Sequence, residues 1–183
     1  MRRIKWLLAP VAAASLAAGI AVAGPQSSET TQVTADFEAN LVNQKSRACD
    51  ASHSIFRGTF EGTQTSSDPR LTGDLLVRVR SVVNTQNAWG RTVAKVIVRA
   101  SGGGKPKFEG RAVGVLEPDG GAEGFLTGHT VAKPHTRLFA NFNVQQDQTT
   151  GAITGELGKN TLGGATEDPA ILTNACRGGH GHP

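Results

Sequence analysis

The sequence predicts an all-β protein, built as an antiparallel up-and-down barrel of about eight strands. Three observations predict this fold. Apolar and polar residues alternate with a period of two in eight separate runs, which is the pattern of half-buried strands. Short turns rich in Gly, Pro, Asp and Asn join successive runs. No run has the 3.6-residue period of a helix, which argues against parallel strands joined by helical crossovers.

The choice between a barrel and a sandwich depends on how the sheet buries its apolar face. An eight-stranded sheet of this kind must close on itself or fold over a second sheet. Closure gives a barrel of the lipocalin and avidin size, and folding over gives a β-sandwich, which is the alternative. Short sequential hairpins and glycines recurring on the inner faces favour the barrel, because tight coiling requires glycine.

The N-terminal segment predicts export. A basic start, Met1 to Lys5, precedes an apolar run that ends in Ala21-Val22-Ala23. This pattern is typical of a signal peptide over residues 1–23, cleaved after Ala23, with an uncleaved anchor helix as the alternative. Residues 24–31 are small and polar and predict a flexible leader. The expected location is therefore secreted, outside the cell.

Cleavage changes the charge of the chain. The whole sequence has a formal net charge of +4. The predicted signal peptide, residues 1–23, holds three basic residues and no acid, so the remainder is near +1. We therefore expect no nucleic-acid partner and, after cleavage, no membrane partner.

The first strand is predicted over 32–42, with Val33, Ala35, Phe37, Ala39 and Leu41 on one face. Residues 43–52 are predicted to be a polar connection. The second strand, 53–63, alternates phenylalanine and glycine on its inner face, and the Asp68-Pro69-Arg70 turn follows it. The remaining strands are predicted over 72–83, 91–100, 106–117, 122–130, 135–146 and 151–158.

Two cysteines, Cys49 and Cys176, remain in the exported chain. An even count in a secreted protein predicts a disulfide. It would tie the C-terminal part back to the first connection, so the barrel domain is assigned to residues 32–176 and a flexible tail to 177–183. Residues 170–172 are a candidate short edge strand.

One sequence box resembles a box in uncharacterised secreted bacterial proteins. It comprises Gly58-Thr59-Phe60-Glu61-Gly62-Thr63 and then Thr65-Ser66-Ser67-Asp68-Pro69-Arg70-Leu71-Thr72-Gly73. It covers one hairpin of the chain. The resemblance implies export and a β fold, and it implies no activity and no functional residues.

The predicted inner face is almost wholly apolar, and strands two to five, seven and eight place no Asp, Glu, His, Lys or Arg on it. Catalysis in the lumen would need such groups, so this pattern argues against it. A filled interior is favoured, with a cavity for one ligand as the alternative. If the cavity exists, the candidate ligand-binding residues are Phe56, Phe60, Val77, Val98, Phe108, Leu138 and Phe142.

Polar candidates lie outside the lumen. His53, Asp68, Arg70 and His135 fall at predicted strand ends and could meet at one rim. Arg78 and Arg80, with basic residues on the neighbouring strands, could form an anion-binding stripe, although a solvated exterior balanced by acids is the favoured interpretation. His180 and His182 in the tail are too few and too mobile for a defined metal site. No catalytic residue, metal site or cofactor is assigned.

The sequence thus favours a secreted, non-catalytic barrel with lipocalin-like architecture that binds an apolar small molecule or a protein partner. One alternative is an isomerase- or cyclase-type barrel enzyme, in which the four rim residues would supply a polar site. The other is a structural protein of the cell surface or matrix.

Overall fold

The computed structural model describes residues 32–158. The predicted signal peptide, the leader, the edge strand at 170–172, Cys176 and the histidine tail lie outside the described residues. The disulfide between Cys49 and Cys176 therefore stays a prediction.

Eight antiparallel strands form one closed barrel in which each strand pairs with the next along the chain. The barrel closes where Ala35–Ala39 of the first strand pairs with Ile153–Leu157 of the last. The up-and-down barrel predicted from the sequence is confirmed. The strands are β1 Ala35–Ala48, β2 His53–Ser66, β3 Gly73–Asn84, β4 Gly90–Arg99, β5 Pro106–Leu116, β6 Gly121–Thr130, β7 Arg137–Gln146 and β8 Ile153–Leu157.

The predicted polar connection at 43–52 is wrong for its first half, because β1 continues to Ala48. The register against β2 shifts between Leu41 and Asn43, which leaves Val42 as an extra residue. Such a bulge exchanges the two faces of a strand. Odd-numbered residues therefore face inward before Val42 and even-numbered residues after it, which interrupts the alternation on which the sequence prediction depended.

Phenylalanine rings lie over glycines along the inner wall. A Cβ added at Gly58 would stand 2.9 Å from the Phe56 ring and 3.0 Å from the Phe60 ring. At Gly124 of β6 it would stand 2.9 Å from the ring of Phe142 on β7, the residue that Gly124 pairs with. The glycines make room for neighbours on the same or the next strand rather than for side chains across the lumen. The rings therefore pack against the wall beside them.

One end of the barrel, which we call the floor, is closed by the connection from β2 to β3. A 3₁₀ turn at Pro69–Leu71 buries Leu71 in the hydrophobic core. Gln64 is buried beside it, and its Nε2 donates a hydrogen bond to the Leu71 carbonyl at 2.8 Å. Lys107 of β5 donates from Nζ to two carbonyls of this connection, those of Pro69 and Thr72.

Candidate functional site

The barrel encloses a cavity of about 400 Å³. The interior is thus hollow, contrary to the filled core that the sequence favoured. The cavity reaches the end of the barrel opposite the floor, where Ala88, Pro118 and Gln148 from three different turns line it. We call this end the mouth. Its volume falls within the range of pockets that hold small organic ligands.

The wall of the cavity is mainly aliphatic and aromatic. All eight strands contribute to it, because inward side chains alternate along each strand. The apolar lining residues in the strands are Phe37, Phe56, Phe60, Leu75, Val77, Val79, Val83, Ala94, Val96, Ala112, Leu116, Ala122, Leu126, Phe142, Val144, Ile153 and Leu157.

Several uncharged polar side chains interrupt this wall. Ser81 of β3 and Thr92 of β4 are directly opposite each other, and the Ser81 hydroxyl donates to Thr92 Oγ1 at 3.0 Å. Both side chains are buried and line the cavity. A hydroxyl can donate one hydrogen bond and accept others, so the Thr92 proton remains a donor and both oxygens keep acceptor capacity for a ligand group. Ser46, Ser54, Gln64, Gln146 and Gln148 are the other uncharged polar lining residues.

Glu117 at the mouth is the one ionisable group among the described residues that line the cavity. It follows β5 in the turn to β6, which folds over the opening. Partial burial raises the pKa of the Glu117 carboxyl, and the neighbouring negative charges of Glu123 and Asp119 raise it further. No Lys, Arg or His of residues 32–158 lines the cavity. A carboxylate ligand would therefore find no counter-charge inside.

The turn that carries Glu117 is tied to the end of β7 and to the turn that follows it. Gln145 Nε2 donates to the Asp119 carbonyl at 3.0 Å, and Gln148 Nε2 donates to the same oxygen at 3.4 Å. The backbone N–H of Gln146 also donates to the Gly120 carbonyl at 3.2 Å. These bonds hold one side of the mouth in place.

The structure separates the seven residues predicted to bind a ligand into two groups. Phe56, Phe60, Val77 and Phe142 line the cavity. The other three lie toward the floor: Val98 and Phe108 are fully buried in the core, and Leu138 packs against it. The inward direction of all seven was predicted correctly, but height along the barrel decides which of them border open space.

The four predicted rim residues do not form one rim. His53 begins β2 at the mouth, whereas Asp68 and Arg70 lie in the floor connection and His135 lies before β7, also at the floor end. In an up-and-down barrel, even- and odd-numbered strands begin at opposite ends. The prediction that His53 and His135 meet at one rim, because each begins a predicted strand, was therefore wrong.

Each of these four side chains has a structural role. The ring Nδ1 of His53 lies 3.0 Å from the Asp50 carboxylate. Asp68 caps the 3₁₀ turn by accepting from the Arg70 N–H at 2.8 Å. The Arg70 guanidinium also bonds the Asp68 carboxylate, which lowers the pKa of Asp68. His135 Nδ1 bonds the Thr130 carbonyl at 2.8 Å.

Two lining residues were missed for different reasons. Gln64 continues the inward series of Phe56, Gly58, Phe60 and Gly62, so a longer β2 would have found it. Glu117 was the last residue of the predicted strand 106–117, where alternation points it outward, whereas β5 ends at Leu116 and leaves Glu117 in the turn. The turn letters Pro118-Asp119-Gly120 were the only signal that the chain folds over the opening here.

Within residues 32–158, no three His, Cys, Asp or Glu side chains come together in a way that could hold a metal ion. No helix in the same range is long and apolar enough to cross a bilayer. The resemblance of the hairpin box to secreted bacterial proteins stays a prediction. Comparison with protein-family models, with curated proteins and with solved structures finds no match for this chain.

Proposed function

We propose that this protein is a secreted, non-catalytic barrel that binds one apolar small molecule in its interior. The observation that carries the proposal is the cavity of about 400 Å³, closed at the floor and open at the mouth. Burial of apolar ligand surface is the driving force that such a wall offers, at about 25 cal/mol per Å².

The polar groups of the cavity narrow the class of ligand. Ser81 and Thr92 could pair with a single hydroxyl or carbonyl, and Gln64 places an amide near the floor. Because the described lining residues include Glu117 and no cation, an anionic head group would be disfavoured. The best ligand is therefore a neutral molecule with an apolar body and one or two hydrogen-bonding groups.

The enzyme alternative has less support. Its four proposed polar residues lie at two ends of the barrel, and hydrogen bonds within the turns occupy them. A polar site at one rim would need them together. The isomerase or cyclase interpretation therefore loses the four residues on which it was based.

A protein partner is the second candidate, because two aromatic side chains are exposed on the outer wall. Phe125 and Phe139 stack with ring centroids 5.3 Å apart and are 42% and 71% exposed. Exposed aromatic pairs of this kind are enriched at protein interfaces. A double change to serine should abolish a protein complex isolated from the growth medium and leave small-molecule binding intact.

The test of small-molecule binding uses a neutral fluorescent naphthalene probe and a pair of matched variants. Ala112→Phe adds six carbons inside the cavity, and at about 30 Å³ each they would take nearly half of its volume. Val113→Phe adds an aromatic ring on the outward face of the same strand. We expect at least a tenfold loss of probe affinity in the first variant and little change in the second.

Trp89, in the turn beside Ala88 of the mouth, supplies an independent signal in the chain that begins after Ala23, which does not contain Trp6. Its emission should shift when the probe enters. Equal probe binding by both phenylalanine variants would place the probe outside the barrel and refute the proposal. Organic extraction of the protein purified from its own medium, followed by mass spectrometry, would identify a resident ligand.

A further inference from the structure

Six exposed basic side chains form two rows on the outer wall of the barrel, which we call the basic rows. Within each row the residues stand directly opposite one another on neighbouring strands. The first row crosses β1, β2 and β3, and the second crosses β3, β4 and β5. The rows are Lys45, Arg57 and Arg80, and Arg78, Lys95 and Arg111.

This arrangement costs stability. Directly opposite side chains on antiparallel strands have Cβ atoms about 5 Å apart, and like charges at that spacing destabilise a sheet. Arg57 faces a cation on both sides, and so does Lys95. A solvated exterior would be expected to alternate the signs of charge, with acids balancing the cations.

Acidic side chains were expected to balance these cations, and one ion pair does so. Lys95 Nζ lies 3.5 Å from Glu109 Oε2, in an exposed pair. Among residues 32–158, no hydrogen bond or ion pair engages the other five side chains of the basic rows. Five guanidinium or ammonium groups are therefore available to an outside anion. In its absence they repel one another.

We propose that the basic rows bind an extended anionic polysaccharide. The inference is independent of ligand binding in the cavity. Acidic groups repeated along a polymer match cations repeated along a row, and each group could sit between two opposite side chains. Thr59 and Thr127, which flank the second row on β2 and β6, add hydroxyls that can hydrogen bond to sugar hydroxyls.

Two features distinguish this partner from other polyanions. The rows together run from β1 to β5, and in an eight-stranded barrel each strand turns the surface by roughly 45°. A flat lipid surface would touch only part of such a curve, whereas a flexible chain can follow it. No aromatic side chain lies within the rows, and binding of single-stranded nucleic acid depends on base stacking.

The experiment measures binding of the full-length protein to immobilised polygalacturonate, a polymer with one carboxylate per sugar. The triple variant Arg57→Gln, Arg78→Gln, Arg80→Gln removes the centre of the basic rows. The control variant Lys105→Gln, Lys133→Gln, Arg137→Gln removes the same charge from exposed positions outside them. We expect the first to weaken binding by about tenfold or more and the control by about threefold or less.

A melting curve separates binding from folding. The row variant should melt at a higher temperature than the native protein, because it relieves opposed like charges, and yet it should bind less well. A row variant that fails to fold would be replaced by Arg57→Gln alone, which breaks both opposed pairs of the first row and still leaves five cations. This single variant should also melt at a higher temperature and bind the polymer less well than the native protein, with a smaller loss of binding than the triple variant.

Three outcomes would overturn the proposal. Equal losses in the row and control variants would show attraction by net charge alone. Tighter binding to oligothymidylate than to polygalacturonate, at matched salt and charge, would point to a nucleic acid. Binding to vesicles of phosphatidylcholine and phosphatidylserine, without binding to the polymer, would point to a lipid surface.

Discussion

Adding a side chain to the hollow part of the barrel should stabilise the protein, whereas the same change in its packed part should destabilise it. Ala94 on β4 lines the cavity, and its side chain is buried at 7% exposure. Ala94→Leu adds three carbons there. At about 30 Å³ each they would occupy roughly a fifth of the open volume.

The expected gain follows from the apolar surface that the new carbons bury. At about 0.8 kcal/mol for each buried carbon group, three carbons contribute up to about 2 kcal/mol to the free energy of unfolding. The open mouth leaves part of the surface wet, so we expect about 1 kcal/mol. In a filled core the same change would instead force neighbours apart, at a cost of about 1–3 kcal/mol.

Ala35 provides the matched control. It is 1% exposed, belongs to the hydrophobic core and does not line the cavity. Ala35→Leu should therefore lower the free energy of unfolding by about 1–3 kcal/mol. Urea titration of both variants, followed by circular dichroism, gives the two values. If Ala94→Leu destabilises as much as Ala35→Leu does, the interior is packed and the reasoning from the cavity fails.

Three further predictions concern the mouth and the floor. Glu117→Gln should stabilise the protein at neutral pH, because the raised pKa of Glu117 shows that the fold disfavours its charged form. This gain should disappear as the pH falls below the ordinary glutamate range, because a group with a raised carboxyl pKa stabilises the fold fully in acid and loses that contribution as the pH rises. Melting curves at several pH values test this. A gain that persisted in acid would contradict the prediction. Lys107→Met removes two hydrogen bonds to floor carbonyls and should cost about 1–3 kcal/mol in urea unfolding, whereas Lys105→Met in the adjacent exposed turn should be nearly neutral. Asp68→Ala removes the cap of the 3₁₀ turn and should cost about 1 kcal/mol at neutral pH. That cost should shrink as the pH falls through the lowered pKa of Asp68, and a cost independent of pH would contradict the role of its charge.

The strand order and most facings could be predicted because each hairpin is local. Period-two alternation identifies the inner face of a strand from its own residues, and a short turn fixes the neighbour. The same locality explains the error in β1. A bulge at Val42 depends on the pairing with β2, which no pattern within residues 32–48 reveals.

The cavity was harder to predict because it depends on height within the barrel. Alternation states that Phe60 and Phe108 both face inward, and both do. It does not state that Phe60 borders open space while Phe108 packs at the floor. That distinction follows from the register of neighbouring strands and from the buried Leu71 of the floor connection, which are properties of the assembled sheet.

The hollow interior itself has a local cause that the sequence contains. Counting large inward side chains predicts a filled lumen, because such a count assumes that each ring extends across the barrel. In β2, however, Gly58 stands between Phe56 and Phe60, and both rings lie over it. Because glycine has no side chain, a neighbouring ring can pack against its backbone. That ring then does not extend into the centre of the lumen. In β2 the alternation of phenylalanine and glycine therefore accompanies open space inside the barrel, whereas at the floor the Phe108 ring covers Gly110 in the same way and is packed.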